Sequence, residues 1–138
     1  MSAVGRILIV DDDETVLKML ARALSLEGYD VRTAATPIEG LNEAERTPPD
    51  VILLDLRMPF VNGIGFLYRL RAQAGHEHTP VAIITGDLAL DDSAMAELSA
   101  LDAELMFKPL RLDDALTVTR RLLAKGSAAR SAPALPSV

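Results

Sequence analysis

Val51-Ile-Leu-Leu-Asp55-Leu-Arg-Met-Pro-Phe-Val-Asn-Gly63 decides how this chain is read: an apolar run delivers one carboxylate and then breaks into a proline-glycine loop. Four consecutive branched aliphatics, Val51 to Leu54, mark a strand buried on both faces, as in the interior of a parallel sheet. Asp55 stands where that strand emerges. In open α/β sheets ligands bind outside the carboxyl ends of the strands, so an acid there is placed to meet a solute. An aspartate at a strand end can equally do no more than form the turn, so Asp55 gains meaning only from what the other strands deliver.

Before it, Arg6–Val10 reads as a short buried strand followed at once by Asp11-Asp12-Asp13-Glu14. Asp13 and Glu14 suit the start of the next helix, where capping and the helix dipole favour anions. Asp11 and Asp12 are not explained that way: their like charges repel at the strand end, and a cation would relieve them. Val16, Leu17, Leu20, Ala21 and Leu24 recur at helical spacing over Thr15–Glu27, and Gly28 supplies the stop. Asp30–Ala34 is a second strand anchored by Val31. Thr36-Pro37-Ile38-Glu39 is a capping box with proline at the first helical position, opening a helix to about Arg46 that must tolerate Gly40.

After Asp55, a third helix over Gly63–Ala74 carries Phe66, Leu67, Leu70 and Ala74 on one side. Gly75-His-Glu-His78 reads as a solvated polar loop, since no third metal ligand lies nearby in sequence. Pro80–Ile84 is a fourth strand ending in Thr85-Gly86-Asp87. Asp91 and Asp92 introduce a fourth helix with Met95, Leu98 and Leu101 as its inner stripe. Leu105–Phe107 is the fifth strand, followed by Lys108-Pro109. Leu112–Lys125 is the fifth helix, with Asp113 and Asp114 in its first turn and Arg120, Arg121 and Lys125 towards its end, complementing the dipole. Residues 1–125 thus form one domain, and 126–138, rich in Ala, Ser and Pro, are expected to be a disordered tail or the stub of a linker.

A chain of 138 residues suits a single core, which at 49% hydrophobic and 4% aromatic is aliphatic. The net charge of -6 and the lack of any basic run argue against direct nucleic-acid binding. Without cysteine there are no disulfides, zinc-thiolate sites or thiol nucleophiles, which fits a reducing compartment. Ile7–Val10 is too short for a signal peptide or a membrane span. The expectation is a soluble cytoplasmic protein.

Strands alternating with helices imply an α/β fold, a five-stranded parallel sheet with helices on both faces and right-handed crossovers. All strand exits then share one edge, where Asp11, Asp12, Asp55, Thr85 and Lys108 stand. Clustered carboxylates form a hard-oxygen site suited to Mg²⁺, and a backbone carbonyl after Asp55 could add a ligand. A lysine and a threonine hydroxyl opposite the metal would clamp phosphoryl oxygens. The chemistry is phosphoryl transfer with a carboxylate as acceptor.

Ile-Leu-Ile-Val-Asp11-Asp12-Asp13, Leu-Leu-Asp55-Leu-Arg-Met-Pro59, Asn62-Gly63, Ile-Ile-Thr85-Gly86 and Phe107-Lys108-Pro109 together resemble the receiver domain of two-component response regulators, from about Arg6 to Lys125. The resemblance implies a flavodoxin-like (βα)5 topology of strand order 2-1-3-4-5. It implies that Asp55 accepts a phosphoryl group from the phosphohistidine of a sensor histidine kinase or histidine phosphotransfer protein. By the same token Asp12, Asp55 and the Arg57 carbonyl bind Mg²⁺, with Asp11 acting through water. Lys108 would pair with Asp55 and then the phosphoryl oxygens, Thr85 would move onto the phosphate, and the Lys108-Pro109 bond is often cis in such domains. Output would pass through the face made by helix 4, strand 5 and helix 5 to a downstream protein or a second copy, so the chain is a signalling receiver and not a dedicated enzyme.

Two departures stand out. Leu105 occupies a position where the family usually has Tyr, Phe or His, which puts signalling by ring rotation in doubt. Asp102 replaces a frequent glycine and points to an altered turn before strand 5. A rival reading takes Ile-Leu-Ile-Val-Asp11-x-Asp13-x-Thr15 as similar to the first motif of haloacid-dehalogenase-type phosphatases, with Asp11 as nucleophile, Asp13 as acid/base, and Thr85 and Lys108 in later motifs. It leaves Asp55 unused. A flavodoxin-like mononucleotide binder shares the topology, but the acids after strand 1 would repel its phosphate. Arg57 and Asp87 each lie two residues beyond a site residue and could form a charged lid over it. Arg57→Ala and Asp87→Ala are then expected to shorten the lifetime of an aspartyl phosphate, whereas unchanged lifetimes would leave a solvated pair worth under about 1 kcal/mol.

Overall fold

The computed structural model describes residues 5–56, 60–86, 91–109 and 111–131, with the backbone alone for 55, 56, 60–62 and 127–131. Strand and helix alternate: β1 (Arg6–Val10), α1 (Glu14–Leu26), β2 (Asp30–Ala34), α2 (Pro37–Arg46), β3 (Val51–Leu56), α3 (Phe60–Ala72), β4 (Val81–Thr85), α4 (Asp92–Ala100), β5 (Ala103–Phe107) and α5 (Leu112–Ser131). The strands form one parallel sheet in the order β2-β1-β3-β4-β5. This is the topology expected above.

Because successive strand residues point to opposite faces, the central strands feed two cores. Leu8, Val10, Ile52, Leu54 and Ile83 meet Ala44 of α2, Phe66, Leu67 and Leu70 of α3 and Leu98 of α4. Ile7, Ile9, Leu53 and Ile84 meet Leu17, Leu20 and Leu24 of α1 and Ala115, Val118 and Leu122 of α5. The edge strands β2 and β5 are mostly half-buried, and on β2 the buried anchor is Ala34, with Val31 half-buried. No helix among the described residues is long and apolar enough to cross a membrane.

Helix starts follow the sequence. Asp13 caps α1 through Thr15 N and Val16 N, and Asp91 caps α4 through Ala94 N. Thr36 Oγ1 accepts from Glu39 N at 3.1 Å, while Glu39 reaches back to Ala35 N at 3.1 Å, one residue before the usual partner.

Elsewhere the structure corrects the sequence reading. α3 occupies Phe60–Ala72, earlier at both ends than expected, and Gly75 at φ 89° carries the chain through the turn after it. Met95 is 42% exposed, which leaves Leu98 and Leu101 as the inward residues of α4. α5 does not stop at Lys125 but continues to Ser131. Gly126 acts there as a close-approach residue, since a Cβ would sit 3.3 Å from Pro80 Cγ, and the Ser-Ala-Ala-Arg that follows has no helix breaker. Residues 132–138 of the expected tail lie outside the described residues. Arg120, Arg121 and Lys125 reach neighbouring acids: Glu27 at 3.3 Å, Glu104, and Asp102 at 3.8 Å.

His76 is not solvated; it is 4% exposed. Its Nε2 lies 3.0 Å from the Ala44 carbonyl, which can only accept, so Nε2 donates there, and Nδ1 pairs with Thr79 Oγ1 at 2.7 Å. The ring ties α2 to the loop before β4.

Gly40 is where α2 comes closest to the sheet: a Cβ there would lie 2.8 Å from Val10 Cγ2 and 3.2 Å from Phe66 Cε2. Val10 is β-branched and buried, so it has little room to yield. Gly40→Ala is expected to lower stability by about 1–2 kcal/mol in urea unfolding, because overpacking outweighs the roughly 1 kcal/mol gained in helix propensity.

Candidate functional site

The sheet register determines which residues share the edge beyond the strand ends. Val10 of β1 is level with Leu54 of β3, so the next residues, Asp11 and Asp55, are level as well. Asp55 is level with Ile84 of β4, Leu56 with Thr85, and Thr85 with Phe107 of β5. Lys108 follows one residue later. Adjacent strands lie about 4.8 Å apart, so the acids of β1 and β3 are neighbours, with Thr85 and Lys108 on the two strands beside them. Asp11, Asp12, Asp55, Thr85 and Lys108 are thus gathered at one edge. The Arg57 carbonyl and Asp87 lie outside the described residues.

Each side chain has a distinct environment. Asp11 is fully buried and Asp12 exposed. Asp11 Oδ1 accepts from Asp13 N at 2.9 Å, while Asp13 Oδ1 accepts from Thr15 N at 2.9 Å and Val16 N at 3.3 Å. These bonds fold the acidic run into a tight turn that separates the capping acid, Asp13, from Asp11 and Asp12. Thr85 is 3% exposed, and its carbonyl accepts from Lys108 N at 2.8 Å. Gly86 leaves room for the lysine stem, whose Cδ would lie 3.8 Å from a Cβ there. The Lys108-Pro109 peptide is cis.

A pair of acids at the end of β1 with a third level on β3 is a donor set of hard oxygens, and fits a small divalent cation that keeps part of its water shell. Among the described residues no three His, Asp or Glu side chains gather into a metal cluster; the side chain of Asp55 is not one of them.

The two departures take definite form. Leu105 is half-buried and packs against the core shared by α2, α3 and α4. Asp102 adopts φ 55°, in the left-handed region that glycine enters most readily. Aspartate is among the residues that tolerate this region best.

The family model for the response regulator receiver domain matches residues 7–120. The chain belongs to the response regulator receiver domain family. The transcriptional regulatory protein PrrA of Mycobacterium leprae is 36% identical over 89% of this chain and 52% of its own length. The regulatory protein AtoC of Escherichia coli is 36% identical over 89% of this chain and 26% of its own length. The chain therefore spans about half the length of PrrA and about a quarter of AtoC. Among solved structures, the Vibrio cholerae chemotaxis protein CheY4 superposes with TM-score 0.78 at 30% identity, covering 88% of this chain and all of its own (100%). A CheY-like receiver domain protein from Methanospirillum hungatei gives TM-score 0.80 at 26% identity, covering 92% of this chain and 99% of its own.

Sequence reasoning missed several contacts of this receiver domain: Arg71 bridging α3 to the turns before β4 and β5, Tyr68 bonded to Glu97, and buried His76. Little local marks them, since most partners are backbone carbonyls or distant side chains, Thr79 Oγ1 beside His76 being the exception. The capping role of Asp13 is separable from the site. Asp13→Ala is expected to cost about 1 kcal/mol of stability, with Asp13→Ser retaining most of it, as read from thermal unfolding.

Proposed function

We propose that Asp55 is the phosphoacceptor of a two-component phosphorelay. A carboxylate oxygen of Asp55 attacks the phosphorus of a phosphohistidine on a sensor histidine kinase or histidine phosphotransfer protein. The new O–P bond forms as the N–P bond breaks, and the imidazole nitrogen keeps the electron pair. Asp12 and Asp55, with the Arg57 carbonyl, would hold Mg²⁺, and Asp11 would act on it through water. Bound there, the ion neutralises charge on the phosphoryl oxygens. Lys108 supplies a fixed positive charge to the same oxygens, and Thr85 a hydroxyl donor.

The observation that carries this reading is the register: the acids after β1 and β3 are level, and Thr85 and Lys108 follow on β4 and β5. The phosphatase alternative has less support. It needs Asp13 as acid/base, yet Asp13 Oδ1 is taken up as the cap of α1, accepting from Thr15 N and Val16 N. The family match is to a receiver and not to a phosphatase.

Output would pass through α4, β5 and α5, where Met95, Phe107 and Leu112 are 42%, 46% and 39% exposed. Large apolar side chains left in water on neighbouring elements suit a protein partner, either a downstream target or a second copy. With Leu105 in place of an aromatic ring, the response would run through backbone shifts and α4 packing.

Incubation with Mg²⁺ and a small acyl phosphate is expected to add one phosphoryl group, mapped by mass spectrometry to Asp55 and absent in Asp55→Asn. Asp12→Asn is expected to slow the reaction by at least tenfold and to weaken its dependence on Mg²⁺. An adduct on Asp11, or steady turnover of phosphate esters, would favour the phosphatase.

A further inference from the structure

α4 is held unevenly along its length. At its C-terminal end Leu98 is buried at 2% exposure, and Leu101 packs against the same core. Arg71 reaches that end from α3: Nε donates to Leu101 O at 3.0 Å and Nη2 to Asp102 O at 3.3 Å. Its Nη1 donates to His76 O at 3.0 Å and Thr79 O at 2.6 Å. One guanidinium therefore fixes the end of α4 and the starts of β4 and β5 relative to α3. Burial pulls its pKa below the ordinary arginine range, Asp102 pushing the other way, and it remains a cation. Hydrogen bonds from such a charged group are individually stronger than neutral ones.

The N-terminal half is different. From Asp91 to Ala96 no residue is buried, and Met95 stands well into solvent. Its capping bond, Asp91 Oδ1 to Ala94 N at 2.7 Å, is internal and does not tie the helix to the body. Between the two halves, Tyr68 Oη of α3 donates to Glu97 Oε1 at 2.8 Å on the surface. The Glu97 hydrogen bond, then partial burial and the Glu97 charge, raise the Tyr68 pKa above its usual value, so the phenol stays a donor across the physiological range.

We propose that α4 is a lever hinged at its C-terminal end by Arg71, with the Tyr68–Glu97 hydrogen bond as a latch that limits how far the Met95 end swings. A shallow surface bond is readily broken, whereas the Arg71 cluster is not, so motion is largest at the N-terminal end and vanishes towards Leu101. Coupling of this swing to a phosphoryl group on Asp55 rests on the function proposed above. The lever itself does not.

Amide hydrogen exchange on the full chain, without phosphodonor, tests it directly. Amides of Leu98–Leu101 are expected to exchange at least tenfold more slowly than those of Met95 and Ala96, and equal rates along α4 would overturn the lever. Tyr68→Phe is expected to speed exchange at Met95–Glu97 severalfold while leaving Leu98–Leu101 unchanged; no change at Met95–Glu97, or equal acceleration along the helix, would overturn the latch. Arg71→Met, which keeps the aliphatic stem, is expected to erase the gradient by speeding Leu98–Leu101 at least tenfold; an intact gradient would remove Arg71 as the hinge. Should Arg71→Met fail to fold, Arg71→Lys takes its place, and a partial loss of the gradient is the expected result. Because no arm uses a phosphoryl group, failure of Asp55 to accept one leaves these outcomes standing, and the converse holds.

Discussion

The parallel ladder between β1 and β3 is the constraint from which the rest of the site follows. Its register, Val10 opposite Leu54, brings an acid from each strand to the same level at the sheet edge. A slip of one residue would turn each side chain of β3 to the opposite face, exchanging Leu53 and Leu54 between two separately packed cores. Apolar burial on both faces thus holds the register, and the register in turn sets which residues follow the two strands side by side.

Much of this was legible in the sequence because the signals are local. Apolar runs of four residues at β1, β3 and β4, each followed by a polar residue at the strand exit, marked those strands and their edge residues together. Asp13, Thr36 and Asp91 were readable as caps because capping needs only neighbouring backbone amides. What escaped was whatever depends on distant partners. His76 looked solvated in a polar loop, yet it closes onto Ala44, which lies 32 positions away. Gly126 looked like a helix stop, but its small size serves a contact with Pro80. Met95 fits a helical stripe, although α4 is too shallowly seated to bury it. Spacing along one helix reveals a face, but not how deeply that face is seated.

Asp102 combines a left-handed backbone with a charged side chain at one turn. Its left-handed backbone does what glycine would do, and its carbonyl accepts from Arg71 while its carboxylate lies 3.8 Å from Lys125. A side chain at this position therefore brings α5 into a junction that already joins α3, α4 and β5. Leu105, two positions along β5 from the start of the strand, packs into the core beside it. Asp102 immediately precedes β5 and Leu105 lies on it, so the two unusual residues are three positions apart beside α4.

The continuation of α5 past Gly126 has a geometric corollary. Five further residues in helical conformation advance the axis by about 7.5 Å and turn it through roughly 500°. A module fused directly to Ser131 by a continuous helix would inherit both the direction and the angular phase of that rod. Deleting or inserting a single residue there would rotate an attached module by about 100° around the axis while changing its distance by only about 1.5 Å. In a fusion made at this end, orientation would therefore be far more sensitive to linker length than reach would be.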